Sequence, residues 1–397
     1  MESLLNNIAF AFIFEEIFSN LNCQDLAHCR LVCKLWRQLI DYSKLWWLMK
    51  LKTYEKNFNF RNWKEAFEYF ENLKNIPKLQ QFVSLLDAIQ TQDVRKGPIH
   101  FAAQTGNIEM LELLLKSPLD FNNICESKTP FMTACKHGKL QIIEYFLHYS
   151  NLKKIDFNAV DNIGNTAFLN VCKYGNKDLI QILIQSSIEK GIKINTVNNN
   201  GRTALHIACM IECNSTEGTI YLLQNLNITQ IDVNAMDNRG WTAFHFACKI
   251  GKIEVVREFF KLDTLDFNVI LSDGRTPFHL ACIEGHVQIV EIFLKYAINY
   301  KINLNSRDNR GCTAFHYACR IGQIEIVDIL TQFPQLIDVN AADNGGMTAL
   351  HCACTIGDQN IVELLLQRSE LIGMDVFARN SDGYTAFELA QAYIKVI

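Results

Sequence analysis

Histidine and cysteine recur at regular intervals through the chain, and these residue types bind metals or act as nucleophile and base. Six histidines share one position in a repeated motif: His100, His206, His245, His279, His316 and His351. Seven cysteines share another: Cys135, Cys172, Cys209, Cys248, Cys282, Cys319 and Cys354. In principle, the two rows could form a zinc site or a Cys–His catalytic pair.

The spacing of these residues argues against both kinds of site. Successive copies lie one repeat apart, no Cys-x-x-Cys pair occurs, and the cysteines occupy an apolar position where a free thiol behaves as a small hydrophobic group. The chain also has no HExxH, no GxSxG and no glycine-rich phosphate loop. We therefore expect no catalytic residue, no metal site and no cofactor. An enzyme of unrecognised type stays an alternative, and it would require a perturbed Cys or His in these rows.

Both rows belong to a repeated heptapeptide. It reads TAFHYAC from Thr313, TALHIAC from Thr203, TAFHFAC from Thr242, TPFHLAC from Thr276 and TALHCAC from Thr348, with weaker copies from Thr129, Thr166 and Thr385. From Thr129 onward the threonines lie 37, 37, 39, 34, 37, 35 and 37 residues apart. A period of this length indicates stacked supersecondary units rather than one globular core.

Each copy also predicts its own local structure. An Asp-x-x-Gly turn comes first, as at Asp237 to Gly240, where Gly supplies a positive φ and Asp bonds its own turn. Thr then caps a helix, and Pro130 and Pro277 stand at the first helical position, where a missing N–H has no cost. A second amphipathic helix follows. Extra residues, as in 186–198, are expected to lengthen the loops.

This unit resembles the ankyrin repeat, whose signature is a Thr-Pro-Leu-His-x-Ala helix start. The resemblance covers residues 96–397 and implies an all-α solenoid of about eight to nine repeats. It also implies that the recurrent histidine bonds the turns of adjacent repeats, and that the surface serves to bind other proteins.

Residues 13–47 resemble the F-box, through Glu16-Ile17-Phe18, Asp25-Leu26, Val32-Cys33-Lys34 and Trp36-Arg37. The F-box binds the Skp adaptor and, through it, a cullin–RING ligase. The resemblance implies seven adaptor-binding residues: Ile13, Ile17, Leu21, Leu26, Val32, Cys33 and Trp36. One departure is that Ala9-Phe10 replaces the usual Leu-Pro pair.

The chain is thus predicted to hold an F-box at 1–50, a helical linker at 51–95 and an ankyrin-repeat domain at 96–397. The F-box and the repeats together predict a non-catalytic substrate receptor of a Skp, cullin and F-box ubiquitin ligase. Two alternatives remain, a plain ankyrin scaffold whose leading helices cap the solenoid, and a bacterial or viral effector that engages the host ligase. Reduced thiols favour the cytoplasm or nucleus, or the host cytosol for an effector.

Candidate client-binding residues lie in the turns, where side chains vary while the frame does not. We expect Arg202, Arg239, Trp241, Arg275 and Arg310 to contact an acidic or phosphorylated segment of a client protein, because Arg and Trp dominate interface energies. The alternative is a set of solvated turn charges.

Overall charge and hydropathy exclude other partner classes. The formal net charge is only −4, so no strong field attracts nucleic acid or a membrane surface. No apolar run reaches the roughly 18 residues that a membrane-spanning helix needs.

Overall fold

The computed structural model describes residues 98–108, 111–112, 120–210 and 216–394. Within these residues it contains seventeen α-helices and no strand, which confirms the predicted all-α class. The predicted F-box at 1–50 and linker at 51–95 lie outside the described residues. The chain divides into two compact units, Met1–Asn162 with Ser186–Ile192, and Ile163–Gln185 with Lys193–Ile397.

The described part of the first unit holds three helices: α1 (Pro98–Thr105), α2 (Pro130–Lys136) and α3 (Leu140–Lys153). Helix α2 packs against both α1 and α3. Phe131 lies at the centre of this core, with ring centroids 5.9 Å from Phe146 and 4.7 Å from Phe157.

The second unit is a stack of helix pairs. Its helices are α4 (Ala167–Tyr174), α5 (Lys177–Lys190), α6 (Ala204–Cys209), α7 (Glu217–Gln224), α8 (Leu226–Thr229), α9 (Ala243–Ile250), α10 (Ile253–Phe259), α11 (Pro277–Ile283), α12 (Val287–Tyr296), α13 (Ala314–Ile321), α14 (Ile324–Leu330), α15 (Ala349–Ile356), α16 (Gln359–Ile372) and α17 (Ala386–Ile394). The end of α5 is grouped with the first unit. Each first helix packs against the first helix of the next repeat, from α4 through α6, α9, α11, α13 and α15 to α17.

Second helices absorb the variation in repeat length. Helices α10 and α14 have 7 residues each, whereas α5 and α16 have 14. The expectation that the residues around Ser186 lengthen a loop is wrong in part, because α5 continues to Lys190.

The turns before the first helices form as the Asp-x-x-Gly pattern predicts. Gly240 has a φ of 77°, a region that glycine adopts without a steric penalty. Asp237 accepts hydrogen bonds at its Oδ1 from the backbone N–H groups of Arg239 (2.9 Å) and Trp241 (3.0 Å). Thr242 then caps α9 by accepting the N–H of His245 at 3.3 Å.

Adjacent repeats are joined by backbone hydrogen bonds between their turns. The N–H of the residue after Asp, or of its replacement, donates to a carbonyl of the preceding turn. The bonds are Asn199 to Ile163 (3.1 Å), Asn238 to Asn200 (2.9 Å), Asn309 to Asp273 (3.0 Å), Asn344 to Arg310 (2.9 Å) and Ser381 to Gly345 (3.0 Å). These bonds fix the register of one repeat on the next.

A second row of asparagines ties the loops that follow the second helices, and the sequence reading missed it. Asn268 shows the pattern. Its Nδ2 donates to the carbonyl of Lys301 at 3.2 Å, and its Oδ1 accepts the N–H of Asn303 at 2.8 Å. Asn234, Asn305 and Asn340 repeat the arrangement. The recurrent Asp/Asn-x-Asn spacing was the available signal.

The histidine row bridges the turns, as the ankyrin resemblance implies. In His316, Nδ1 accepts the N–H of Thr313 (3.1 Å), so the ring proton lies on Nε2, which donates to the carbonyl of Met347 (3.0 Å). His206 does the same with Trp241 (2.8 Å). Burial lowers the pKa of His206, His245, His279 and His316, which keeps these imidazoles neutral.

One junction lacks these bonds. Both Arg239 and Ser272 are described residues, yet the N–H of Ser272 does not bond the carbonyl of Arg239 as its counterparts do. The buried Nε2 of His245 also makes no hydrogen bond of normal geometry, although the carbonyls of Val269 and Arg275 lie close enough to act on its pKa. A Cβ placed on Gly274 would lie 2.7 Å from the Asn309 nitrogen, whereas one on Gly240 would meet no atom within 4 Å.

We call this junction, between the turn at 237–241 and the turn at 271–275, the seam. Its sequence explains the separation in part, because Leu271 stands where the other turns have Asp or Asn. Ser272 is not the cause, since the N–H of Ser381, at the same position, bonds the Gly345 carbonyl. The helices beneath it remain packed, since the Phe244 and Phe293 rings lie 5.8 Å apart. The seam is therefore a local separation of two turns and not a break in the stack.

A matched pair of substitutions tests the role of the turn-to-turn amides. Asn309→Ser removes the hydrogen bond from Asn309 Nδ2 to the Ser272 carbonyl (3.0 Å) and should lower the free energy of unfolding by about 1 kcal/mol. Ser272→Asn introduces at the seam the amide that bonds the preceding turn elsewhere, as Asn238 Nδ2 bonds the Asn199 carbonyl at 3.1 Å, and should raise the free energy of unfolding by up to about 1 kcal/mol. Urea denaturation of both variants measures the changes. If both substitutions lowered the free energy of unfolding equally, the seam would lack no hydrogen bond that an added amide can form.

Acid should destabilise the stack before the carboxylates titrate. The folded-state pKa of His245 is about 4, below the unfolded value of about 6.5, so stability is present above pH 6.5 and is lost as pH falls toward 4. Each such histidine should lower the free energy of unfolding by up to about 1.4 kcal/mol per pH unit in this window. Urea unfolding between pH 7.5 and 5 measures the slope. In His245→Gln the number of protons taken up on unfolding, which sets this slope, should decrease by about one. An unchanged slope would contradict this account.

Candidate protein-binding face

The seven predicted adaptor-binding residues lie outside the described residues. They are Ile13, Ile17, Leu21, Leu26, Val32, Cys33 and Trp36. Their assignment to the adaptor interface stays a prediction. The five predicted client-binding residues all lie in the second unit, in the turns that precede α6, α9, α11 and α13.

Arg202 is occupied by contacts within the repeats. Its Nε lies 3.2 Å from Oδ2 of Asp237, a carboxylate whose side chain is only 1% exposed. Its guanidinium carbon also lies 5.5 Å from the centre of the Phe246 ring. The charge that was expected to meet a client is therefore largely satisfied inside the protein.

Trp241 is half-buried and forms an aromatic platform. Its ring centroid lies 4.9 Å from that of Phe246, with an interplanar angle of 33°. The exposed Lys249 places its Nζ 5.3 Å from the centre of the Trp241 ring. Trp241 thus combines an accessible apolar edge with a neighbouring positive charge.

Arg275 also makes mainly internal contacts. Its guanidinium carbon lies 4.9 Å from the centre of the Tyr317 ring, and its Nη2 donates to Tyr317 Oη at 3.2 Å. Tyr317 in turn donates to Oδ2 of Asp308 at 2.6 Å. Burial disfavours the Asp308 carboxylate, but the hydrogen bonds from Tyr317 and from backbone N–H groups outweigh it and lower the pKa of Asp308.

Arg320 extends this network, and sequence reasoning did not single it out. Its guanidinium carbon lies 5.6 Å from the centre of the Tyr317 ring, and its Nη2 lies 3.7 Å from Oδ2 of Asp343. The same nitrogen contacts the Sγ atoms of Cys312 (3.5 Å) and Cys352 (3.4 Å). Arg at the position four residues after the recurrent histidine was the only sequence signal.

Arg239 and Arg310 differ from the other two predicted arginines. Both are exposed, and neither forms an ion pair with any described residue. Their backbone N–H groups bond Asp237 and Asp308, so the turns are held while the guanidinium groups remain in solvent. Of the predicted client-binding arginines, these two keep a free positive charge.

An exposed apolar row runs beside them. Val197, Met236 and Ile270 occupy one position, the residue before each turn, and their side chains are 54%, 53% and 59% exposed. In the next repeat the same position holds Arg307, whose Nη2 bonds the carbonyl of Ala342. Exposed apolar side chains in consecutive repeats indicate a binding surface.

The cysteine and histidine rows are buried, and their pKa shifts disfavour reactive forms. Burial raises the pKa of the Cys135, Cys248, Cys282, Cys319 and Cys354 thiols, the last to about 11. Since the thiolate is the nucleophile and the metal ligand, burial suppresses both roles. Among the described residues, no cluster of His, Cys, Asp or Glu could hold a metal ion.

In the part of the chain that the structure describes, no helix is both long and apolar enough to span a membrane.

Two arginine substitutions should distinguish an arginine that is held by internal contacts from one whose charge lies in solvent. Arg275→Glu removes the contacts to Tyr317 and places a carboxylate near Asp308, so the free energy of unfolding should fall by about 1–3 kcal/mol. Arg239→Glu changes an exposed side chain and should stay within about 0.5 kcal/mol of the wild type. Urea denaturation measures both, and equal effects would contradict the division.

The family of ankyrin repeats, described as three copies, matches residues 71–161, 150–237, 215–304 and 295–380, and the F-box domain matches residues 13–48. The first ankyrin match begins inside the predicted linker 51–95, so the domain boundaries stay predictions. No curated protein matches the chain.

Ankyrin repeats and the F-box are both interaction modules without catalytic groups. The prediction of an F-box followed by ankyrin repeats is confirmed, and the ankyrin matches cover well over half of the 397 residues. The chain therefore belongs to the ankyrin-repeat family and carries an F-box ahead of its repeats.

Proposed function

We propose that this protein is the substrate receptor of a Skp, cullin and F-box type ubiquitin ligase. The observation that carries the proposal is the presence of an F-box match at residues 13–48 and ankyrin matches at residues 71–380 in one chain. The F-box binds the Skp adaptor, and the adaptor connects it to a cullin–RING ligase. The repeats bind a client protein.

Ubiquitination then follows from proximity. The receptor holds the client near the ubiquitin-charged enzyme, which raises the effective concentration of client lysines at the reactive thioester. This role requires two binding surfaces and no catalytic group in the receptor. The suppressed reactivity of the buried thiols fits this requirement.

The client surface is narrower than the sequence alone suggests. The network around Arg202 and Arg275 is internal, whereas Arg239, Arg310 and the platform of Trp241 face outward. An acidic or phosphorylated client segment would meet these exposed cations without disrupting a buried ion pair. Charged rim residues of this kind mainly set specificity and association rate.

The place of action follows from the same chemistry. At least ten cysteines of the described residues are buried and form no disulfide, which fits a reducing compartment. We propose the cytoplasm, the nucleus or both, and the host cytosol if the protein is an effector of an intracellular bacterium or virus.

One observation favours a second candidate function. Ala9-Phe10 stands where the F-box family has Leu-Pro, a pair that the family uses against the adaptor. If this change removes adaptor binding, the protein is a non-catalytic ankyrin scaffold. Adaptor binding therefore separates the two functions.

Adaptor capture by the full chain is the decisive measurement. Purified Skp adaptor should be retained by the immobilised wild-type protein, and Ile17→Asp with Trp36→Ala should abolish retention because both residues are predicted in the apolar interface. Arg257→Glu, on the exposed side of α10, serves as the control that keeps full retention. Absence of capture by the wild type would rule out the ligase role and leave the scaffold.

A further inference from the structure

Two hydrogen bonds that have normal geometry at other junctions are missing at the seam. The carbonyl of Arg239 and the N–H of Ser272 bond no described residue, whereas the corresponding groups at the other junctions of the second unit bond each other. Beneath them, the buried Nε2 of His245 forms no hydrogen bond of normal geometry, although the carbonyls of Val269 and Arg275 lie close enough to act on its pKa. At other junctions the carbonyl of the next turn is well aligned for this bond, as that of Cys312 is for His279 at 3.2 Å.

The surroundings of Gly240, in the first turn of the seam, resemble those of the last described turn more than those of the other internal turns. Among the turn glycines of the second unit, Gly240 shares with the last turn, at Gly383, the absence of any atom within 4 Å of an added Cβ. Gly383 precedes the last described helix, so no described turn lies beyond it. Gly240 has a following turn that does not reach it. The position that the next turn occupies at other junctions is therefore open beside Gly240.

Exposed side chains on both sides of the gap indicate what kind of backbone fits. Met236 and Ile270 precede the two turns and are more than half exposed. Arg239 and Lys249 supply positive charge without an ion pair to any described residue. The neighbouring Asp273 carboxylate lies 3.5 Å from Nε of Arg275 and is partly compensated by it.

We propose that the seam is the client-recognition site, and that it binds an extended protein segment in which acidic and apolar residues alternate. The segment's backbone pairs with the Arg239 carbonyl and the Ser272 N–H, which is strand addition on a small scale. Its apolar side chains contact Met236 and Ile270, and its carboxylates meet Arg239 and Lys249. This inference rests on the proposed function and names the client chemistry of that function.

The alternation follows from the geometry of an extended chain. Successive side chains point to opposite sides, so one side of the segment meets the apolar pair while the other side carries the charges. A backbone partner is favoured over nucleic acid or lipid because the unpaired groups are one carbonyl and one N–H. A polyanion would satisfy the cations but would leave the Arg239 carbonyl without a donor.

Selection from a random dodecapeptide library displayed on phage tests the proposal with the full chain as bait. The enriched peptides should alternate Asp or Glu with apolar residues. One enriched peptide, labelled with fluorescein, then reports affinity by anisotropy. Ile270→Asp and Arg239→Glu should each weaken its binding by about tenfold or more.

Two matched substitutions serve as controls. Ile298→Asp changes an isoleucine that is 74% exposed after α12, and Arg257→Glu changes an arginine that is 54% exposed on α10. Both should keep the affinity within about twofold. Circular dichroism of all four variants verifies that the helices are intact.

Several outcomes would overturn the proposal. These are a library that enriches nothing, enrichment of basic peptides, or binding that Ile270→Asp leaves unchanged while the helices are intact. Failure here and failure of the ligase role are distinguishable. Adaptor capture depends on the F-box, so a protein that captures adaptor but ignores the seam peptides remains a ligase receptor with its client site elsewhere.

Discussion

The hydrogen bond from a neutral imidazole to the next turn is the constraint on which the stack depends. A single helix pair cannot bury its apolar face, so each repeat is stable only against its neighbours. Helix packing alone permits sliding, whereas the bond from His316 Nε2 to the Met347 carbonyl fixes one register. Because Nδ1 of the same ring holds the Thr313 N–H, the side chain connects the helix start of one repeat to the turn of the next.

The same hydrogen bond also explains why the rows of His and Cys are chemically unreactive. An imidazole that accepts at Nδ1 and donates at Nε2 has no lone pair left for a metal and no proton to exchange. Burial lowers its pKa and raises the pKa of the cysteine three residues on, as in His279 and Cys282. Two residue types that suggest an active site in the sequence are thus held in their inert forms.

Regular features of the fold were predictable because the same sequence signals recur in each repeat. Eight copies of the capping threonine and the Asp-x-x-Gly turns predicted first helices that the structure confirms, including the proline starts at Pro130 and Pro277. Pair contacts between repeats were not predictable in this way. That Arg202 meets Asp237 depends on side-chain direction and on neighbours 35 residues away, which local pattern does not encode.

The exceptions carry more information about recognition than the repeats do. A perfect repeat satisfies every turn group against its neighbour and leaves a partner only side chains to contact. At the seam, Leu271 replaces the Asp or Asn of the other turns, and backbone groups become available at one position of an otherwise uniform surface. The cost of the missing bonds is small, because the aromatic contacts around Phe244 and Phe293 hold the helices together below. Such a junction can offer a partner new hydrogen bonds while the stack itself stays intact, and this combination distinguishes a binding site from a folding defect.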